Sequence, residues 1–214
     1  MSKDINQQRS SFLLPDREEK LKRAAANRQH DLTVILENVH DPHNIGAVLR
    51  SCDAVGISEI YVIVSENFIS TKEKYIGRNS ASGSKKWVEI HFFTDLQLCI
   101  NEVRKKYDQI FGTHLSAESH SLYDLNLANS IALMFGNEHA GLSDEALNLL
   151  DGNFIIPQFG LVQSLNISVA CAISIFEAMR QRILIGAYNN VFDTNDPNHA
   201  QALDHFLSKQ FPRI

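Results

Sequence analysis

The sequence lacks a membrane span and a secretion signal. No uninterrupted apolar stretch approaches the roughly 18 residues that cross a bilayer, and the first 20 residues contain no long apolar run. The three cysteines among the 214 residues form no Cys-x-x-Cys pair, which favours buried thiols in a reducing compartment over a disulfide framework. We therefore expect a cytoplasmic protein that has no membrane partner.

Several nucleotide-binding and hydrolase motifs are also absent. The loop after the first apolar run has a single glycine, Gly46, where a dinucleotide site needs G-x-G-x-x-G, and neither a P-loop nor a G-x-S-x-G motif occurs. His40 and His43 could suggest a metal site, but they lie in a loop interrupted by Pro42 and lack the fixed spacing of helical ligands. We expect no metal site.

Positive charge is concentrated in two segments of an otherwise acidic chain. The formal net charge is −5, which by itself argues against nucleic-acid binding. Residues 17–28 nevertheless hold five basic and two acidic side chains, and residues 71–86 hold five basic and one acidic. Such patches can bind a phosphate backbone; the alternative is a solvated helix face and a solvated loop.

Short apolar runs alternate with helix-like segments. The predicted strands are 32–37, 59–64, 88–93, 109–114, 130–136 and 153–157, and the predicted helices are 17–29, 44–55, 95–107, 143–150 and 164–184. Near-continuous apolar strands are typical of a sheet that is covered on both faces. The pattern predicts an α/β fold, with a mostly parallel sheet and helices on both faces. We assign a basic N-terminal extension to 1–29, the α/β domain to 30–185 and a C-terminal appendage to 186–214.

Three polar, glycine-containing loops follow predicted strands, at 37–50, 135–142 and 156–166. Ligands of parallel α/β sheets bind beyond the carboxyl ends of the strands, so we expect the functional site to be built from these loops. They contain N-x-x-x-P-x-N-x-G-x-x-x-R at 38–50, F-G-x-E-x-x-G-L at 135–142 and I-P-x-x-G-x-x-x-S-L-N-x-S-x-A at 156–170. Together these motifs resemble the SpoU/TrmH family of RNA ribose 2′-O-methyltransferases in the SPOUT superfamily, and within it the bacterial tRNA guanosine-2′-O-methyltransferases.

The resemblance implies a fold, a cofactor and partners. The fold would be the SPOUT α/β-knot, with a deep trefoil knot in the C-terminal part of the domain and helical N- and C-terminal extensions, in a homodimer. The cofactor would be S-adenosylmethionine and the substrate tRNA, modified at guanosine 18. The alternatives are a 2′-O-methyltransferase that acts on rRNA or on another tRNA position, and a non-catalytic RNA-binding relative.

The resemblance also assigns site residues. The catalytic residues would be Arg50, Asn44, Glu138, Ser164 and Asn166, and the cofactor-binding residues Thr113, Gly136, Ile156 and Leu165. The presence of the whole catalytic set counts against the non-catalytic alternative. From the charge clusters we expect RNA contacts at Lys20, Lys22, Arg23, Lys85 and Lys86.

Arg50 is the residue on which the implied chemistry depends. Either it gives up its proton transiently and acts as a base, or it stays charged, holds an RNA phosphate and stabilises the developing alkoxide. We favour the second, because guanidinium groups are very weak acids. Asn44 and Asn166 would orient Arg50 and the ribose, and Glu138 would either hold its loop or pair with Arg50 across the dimer. Ser164 stands where a helix N-cap is expected, and its role would be either to cap that helix or to contact the RNA or the cofactor.

The last predicted helix is apolar on nearly all sides. Nine of the twelve residues from 165 to 176 are apolar, whereas a helix on the surface of a soluble core has one apolar stripe. The implied homodimer offers an explanation: one side of the helix packs on its own sheet and the other on the partner subunit.

Overall fold

The computed structural model describes residues 13–64, 86–162 and 164–211. Its helices are α1 (Pro15–Ala26), α2 (Pro42–Ala54), α3 (Leu96–Val103), α4 (Asp144–Leu147), α5 (Ile167–Leu184) and α6 (Pro197–Gln210). Its strands are β1 (Leu32–Glu37), β2 (Glu59–Ile63), β3 (Glu89–Phe93), β4 (Gln109–Thr113), β5 (His120–Ser121), β6 (Ile131–Phe135) and β7 (Gly152–Ile155).

The strands form a seven-stranded sheet in the order β3-β2-β1-β6-β4-β7-β5, and every neighbouring pair is parallel. The predicted α/β class with a parallel sheet is therefore confirmed. All six predicted strands are present, with ends within two residues of the prediction. The sequence did not predict β5, because a two-residue strand shows no periodicity.

Two helices of the α/β domain end three or four residues earlier than predicted. The predicted helices at 95–107 and 143–150 end at Val103 and Leu147. The residues beyond them are tied to each other instead: the Arg104 guanidinium donates to the Leu149 carbonyl at 2.8 Å and to the Asp151 carboxylate at 3.1 and 3.2 Å. These contacts hold the chain in turns that lead into β4 and β7.

The start of α5 differs from the prediction that Ser164 caps it. The N-cap is Asn166, whose Oδ1 accepts a hydrogen bond from the Ser168 N–H at 2.9 Å. Ser164 lies two residues before the cap and is exposed. Asn is as good a cap as Ser, and the later start leaves 164–166 in the loop at the carboxyl edge of the sheet.

Helices cover both faces of the sheet. Alternate residues of a strand point to opposite faces: Leu36 packs in the apolar cluster that includes Ile45 of α2 and Ile175 of α5, whereas Ile35 packs in the cluster that includes Ile100 of α3. Over the ranges given above, no helix is long and apolar enough to cross a membrane.

A polar cluster stabilises the amino edge of the sheet around Glu59. The Glu59 carboxylate accepts hydrogen bonds from Lys106, at 2.9 Å to both oxygens, from Tyr61 at 2.8 Å and from Tyr107 at 3.0 Å, and His91 Nε2 lies 2.9 Å away. Burial alone would raise the pKa of Glu59, but the contacts from His91, Lys106 and Tyr61 outweigh it and lower the pKa to about 2.

The first and last helices pack against each other. Leu21 and Ala25 of α1 share a small apolar cluster with Ala202 and Phe206 of α6. The buried Arg28 lies over the Phe206 ring, 4.8 Å from its centroid, a distance at which cation–π attraction operates. The terminal segments thus form one helical layer beside the amino edge of the sheet.

Candidate active site

Three loops at the carboxyl edge of the sheet meet through side-chain hydrogen bonds. Asn44 Nδ2 donates to Glu138 Oε1 at 2.6 Å, and Asn166 Nδ2 donates to Asn44 Oδ1 at 3.1 Å. We call these three residues the Asn44–Glu138–Asn166 triad. Each comes from a different predicted motif, so the expectation that the three loops converge is confirmed.

Asn44 lies in the first turn of α2, which places its amide between the other two loops. Asp41 caps this helix by accepting from the His43 N–H at 2.8 Å, and Pro42 begins it, as is common for the first helical position. The Asn44 side chain donates on one side and accepts on the other, so its amide has one orientation that satisfies both neighbours. With 9% of its surface exposed, Asn44 needs these partners.

Asn166 joins the triad to the start of α5. Its Oδ1 accepts from the Ser168 N–H at 2.9 Å and from the Ser168 hydroxyl at 2.6 Å. Its Nδ2 is thereby directed to Asn44. One side chain caps the helix and fixes the distance between α5 and α2.

The loop after β6, residues 136–143, holds Glu138. A Cβ added at Gly136 would come within 2.3 Å of backbone atoms of Gly141 and Leu142, so only glycine fits there. Gly141 has φ 71°, a conformation that glycine adopts without strain. Glu138 is bonded to Asn44 within its own subunit, which supports the first of its two expected roles, that of holding its loop.

Arg50 lies on α2 six residues after Asn44, about 9 Å further along the helix axis and about 240° around it. Its side chain is exposed. The structure therefore groups Asn44, Glu138 and Asn166 and presents Arg50 to solvent from the same helix. Ser164 is exposed at the entrance to α5.

Three of the four expected cofactor residues stand at the ends of adjacent strands, and the fourth, Leu165, lies in the loop before α5. Thr113 ends β4, Gly136 follows β6 and Ile156 follows β7, and these strands are neighbours in the order β6-β4-β7. Ile156 and Leu165 are half-buried, and the Thr113 hydroxyl lies 3.5 Å from the Met134 carbonyl. Half-buried aliphatic side chains beside strand-end backbone fit a flat, partly apolar group such as an adenine.

The described basic residues that we expect to contact RNA lie near the opposite, amino edge of the sheet. Lys20, Lys22 and Arg23 lie on α1, and Lys22 pairs with Glu18 at 2.7 Å. The exposed Lys86 precedes β3, while Lys85 lies outside the described residues. Since a strand rises about 3.3 Å per residue, an RNA that contacts both these residues and the triad of the same subunit must extend along the full length of the five-residue strands.

Possible metal ligands come together at the amino edge and not among the histidines of the first motif. In the part of the chain that the structure describes, Glu59, Glu89 and His91 place ligand atoms within 4.8 Å of one another. Both Glu59 oxygens, however, already accept hydrogen bonds, including two from Lys106. We therefore interpret this group as a structural cluster.

Sequence reasoning missed the residues that support the triad. Glu37 accepts two hydrogen bonds from Ser143, and Asn137 Nδ2 donates to the Asn38 carbonyl at 2.9 Å. The sequence did contain one sign of these residues: the apolar run of the first predicted strand ends in two polar residues, Glu37 and Asn38. Their partners lie about a hundred residues away, so the pairing itself could not be read from the sequence.

Comparison with known proteins agrees with this geometry. The model of the SpoU rRNA Methylase family matches residues 31–176. The chain is 39% identical to the tRNA (guanosine(18)-2′-O)-methyltransferase of Thermus thermophilus over 173 residues, 81% of this chain and 87% of that protein. The crystal structure of the A. aeolicus TrmH/SpoU tRNA modifying enzyme superposes with a TM-score of 0.78 and 32% identity, covering 91% of this chain and 96% of that one. The methyltransferase AviRb from Streptomyces viridochromogenes, solved in complex with AdoMet, matches with a TM-score of 0.65 and 27% identity over 73% of this chain and 59% of its own.

Proposed function

Because this chain belongs to the SpoU rRNA Methylase family, we propose that it transfers a methyl group from S-adenosylmethionine to a ribose 2′-oxygen of tRNA, at guanosine 18. The observation that supports this most directly is the Asn44–Glu138–Asn166 triad. It joins three separate motifs at the edge of the sheet where α/β proteins bind ligands. The relative with 39% identity has the same named activity.

The cofactor supplies an electrophilic methyl group on a sulfonium. Thr113, Gly136, Ile156 and Leu165 are the residues that we propose hold it. Neighbouring strand ends offer backbone donors and acceptors for an adenine, and the aliphatic side chains of Ile156 and Leu165 offer apolar contact. Phe135 precedes Gly136 and Phe154 lies two residues before Ile156, and their rings pack edge to face with centroids 6.1 Å apart, a contact that helps to hold the ends of β6 and β7 together.

The chain's own residues must position a weakly acidic 2′-hydroxyl and stabilise its oxygen as the proton leaves. Fixed geometry supplies much of the rate in such a reaction. We propose that Arg50 remains charged, binds an RNA phosphate with its planar guanidinium and stabilises the alkoxide. Its exposure on α2 supports this role, because a phosphate of a bound RNA can reach it from solvent.

The triad holds the helix that presents Arg50. Glu138 and Asn166 fix Asn44 from two sides, and Asn44 belongs to the first turn of α2. A shift of α2 relative to the cofactor residues would therefore have to break these hydrogen bonds. We propose that Ser164, exposed two residues before the cap of α5, contacts the RNA or the cofactor.

We further propose a homodimer formed through α5. One stripe of this helix faces the core through Cys171, Ile175 and Ala178. The opposite stripe includes Val169, 45% exposed, and Phe176, 43% exposed, and continues to Ile183. The exposed Arg180, which pairs with Glu177, lies on the same face between Phe176 and Ile183. Exposed apolar side chains grouped on one helix face mark an interaction surface, and a two-fold axis lets this face pack against its own copy.

The remaining proposals rest on the resemblance to the family and on the distribution of charge along the chain. We propose that the C-terminal part of the 30–185 domain contains the trefoil knot and that the protein acts in the cytoplasm. Residues 1–29 and 186–214 serve as extensions, whose described helices α1 and α6 pack together. Lys20, Lys22, Arg23, Lys85 and Lys86 contact RNA phosphates, which suits the basic charge of both segments in an acidic chain.

One experiment separates the favoured target from its alternatives. Total RNA from a strain that lacks the protein is incubated with the purified enzyme and labelled S-adenosylmethionine, and the new 2′-O-methyl sites are mapped. Label at guanosine 18 of tRNA is the expected result. Label only in rRNA, or at another tRNA position, would change the substrate, and no label in any RNA would support the non-catalytic alternative.

A further inference from the structure

We propose that Glu37 is a positioning residue of the methyl-transfer site: its carboxylate holds Ser143, and through Ser143 it fixes the 136–143 loop that places Glu138 against Asn44. This role rests on the proposed function, since it concerns the same site. Glu37 is the last residue of β1 and only 4% exposed, so it does not itself face the substrate.

Both oxygens of the Glu37 carboxylate are used by one residue. Oε2 accepts from the Ser143 N–H at 2.9 Å and Oε1 accepts from the Ser143 hydroxyl at 2.6 Å. The Ser143 oxygen in turn accepts from the Ala146 N–H at 3.1 Å. A buried carboxylate needs such donors, and two bonds from one residue fix both its backbone and its side chain. The far end of the loop is therefore attached to the end of β1.

The near end of the loop is attached to the next residue of the chain. The Asn38 carbonyl accepts from Asn137 Nδ2 at 2.9 Å. Asn38 has φ 53°, a left-handed conformation that asparagine tolerates better than most residues. Consecutive residues, Glu37 and Asn38, thus hold the two ends of the loop.

Between its attachments the loop is stiff. Asn137 and Gly141 exchange backbone hydrogen bonds of 3.0 and 2.9 Å, and Asn137 Oδ1 accepts from the N–H groups of His139 and Ala140 at 2.9 and 3.1 Å. A loop braced in this way moves as a unit. Release of Ser143 would therefore displace Glu138, whose contact with Asn44 is 2.6 Å.

Side-chain length tests this role. Glu37→Asp keeps the charge but withdraws the carboxylate by one methylene, about 1.5 Å. Glu37→Gln keeps the reach: its amide oxygen can accept from the Ser143 N–H, and its NH2 group can donate to the Ser143 hydroxyl oxygen. Misplacement of about 1 Å can cost on the order of a hundredfold in rate, so we expect Glu37→Asp to lower kcat by tenfold to a hundredfold with KM for tRNA unchanged. The single variant Glu37→Gln should keep most of the wild-type kcat. Glu59→Gln, at the opposite edge, is the matched control for lost stability and should not lower kcat.

A double variant tests whether Glu37 acts through Glu138. Residues that act through one contact have non-additive effects. Glu37→Asp introduced into Glu138→Ala should therefore cause no further loss of kcat. A fully multiplicative loss would show that Glu37 affects activity by another route and would overturn the proposal.

Hydrogen exchange tests the same contact without activity. Glu37→Asp should speed exchange of the Ser143 amide, which donates to Glu37. The Gly141 amide should stay protected, because its bond to the Asn137 carbonyl lies inside the loop, and Glu37→Gln and Glu59→Gln should leave both amides protected. Unchanged exchange in Glu37→Asp would overturn the positioning role. Wild-type protein that methylates no RNA would instead refute the proposed function, while the exchange result still decides whether Glu37 fixes the loop.

Discussion

The side-chain amide of Asn44 lies 2.6 Å from the carboxylate of Glu138, a residue 94 positions further along the chain. The same amide accepts a hydrogen bond from Asn166 at 3.1 Å. Three loops are thus held by one side chain, which has no freedom to rotate without leaving a polar neighbour unpaired. Asn44 is for this reason the residue whose removal disturbs the whole site.

Asn44→Ala removes both contacts at once. We expect a fall in kcat on the order of a hundredfold, because α2 and the two loops lose the side chain that joins them and the reacting groups shift. Steady-state kinetics with tRNA measures the effect. Asn101→Ala is the control, since Asn101 accepts a side-chain hydrogen bond from Gln97 Nε2 at 3.0 Å on the exposed face of α3, away from the site. Equal losses in both variants would contradict a specific role for Asn44.

Arg50→Ala should separate chemistry from cofactor binding. The proposed cofactor residues lie at the ends of β4, β6 and β7, whereas Arg50 lies on α2. We therefore expect S-adenosylmethionine to bind with unchanged affinity, measured by calorimetry, and methyl transfer to fall on the order of a hundredfold or more. Full activity of Arg50→Ala would remove this residue from the mechanism.

Arg50→Lys distinguishes the two roles that were considered for the arginine. Lysine keeps the charge, lacks the planar fork and deprotonates more easily. If phosphate geometry matters, the variant should remain poor at every pH. Recovery of activity as the pH approaches the lysine pKa of about 10.4 would show that the residue acts as a base and would contradict the phosphate role.

The exposed stripe of α5 predicts a dimer with twice the 24.1 kDa mass of the chain. Phe176→Asp, and likewise Ala172→Asp or Ile173→Asp, should dissociate or unfold it, since an unpaired charge in an apolar interface is costly. Light scattering at micromolar concentration measures the mass. Leu98→Asp is the control, because Leu98 is also a large apolar side chain, 62% exposed on α3. A monomeric wild-type protein would contradict the proposed interface.

The Glu59 cluster predicts how stability changes with pH. The pKa of Glu59 falls from its ordinary 4.5 to about 2 on folding, so its contribution is fully present above pH 4.5 and is lost as the pH falls toward 2. The pKa of His91 is raised above its ordinary 6.5, mainly by its contact with Glu59, so the contribution of His91 is present below that value and lost at higher pH.

Glu59→Gln should therefore destabilise the protein most between pH 4.5 and 6.5. We expect a loss of about 2 kcal/mol there, the scale of hydrogen bonds to a charged group. Urea unfolding of wild type and variant across this range and at pH 3 measures it. We expect the difference in unfolding free energy between wild type and variant to shrink toward pH 3, and an increase instead would contradict this interpretation of the cluster.

The sequence was most informative where one physical rule dominates. Continuous apolar runs predicted six strands of the parallel sheet, and that topology predicted that 37–50, 135–142 and 156–166 meet at one edge. It was least informative about single side chains that serve two purposes. Asn166 both caps α5 and bonds to Asn44, so Ser164, an equally good cap by composition, was placed there wrongly.

Long-range polar pairs were also beyond prediction. Glu37 and Ser143 are 106 positions apart, and neither residue type is unusual where it occurs. Their pairing depends on how β1 and β6 lie side by side, with Leu36 opposite Phe135. Only the folded sheet brings the end of one strand to the loop that follows the other.

The most direct test of the central claim uses two tRNA molecules that differ by one oxygen atom. One has guanosine at position 18 and the other has 2′-deoxyguanosine there, with all other nucleotides the same. Wild-type enzyme and labelled S-adenosylmethionine should transfer one methyl group to the first tRNA and none to the second. Equal incorporation into both would show that the acceptor is not the 2′-oxygen of nucleotide 18 and would contradict the account.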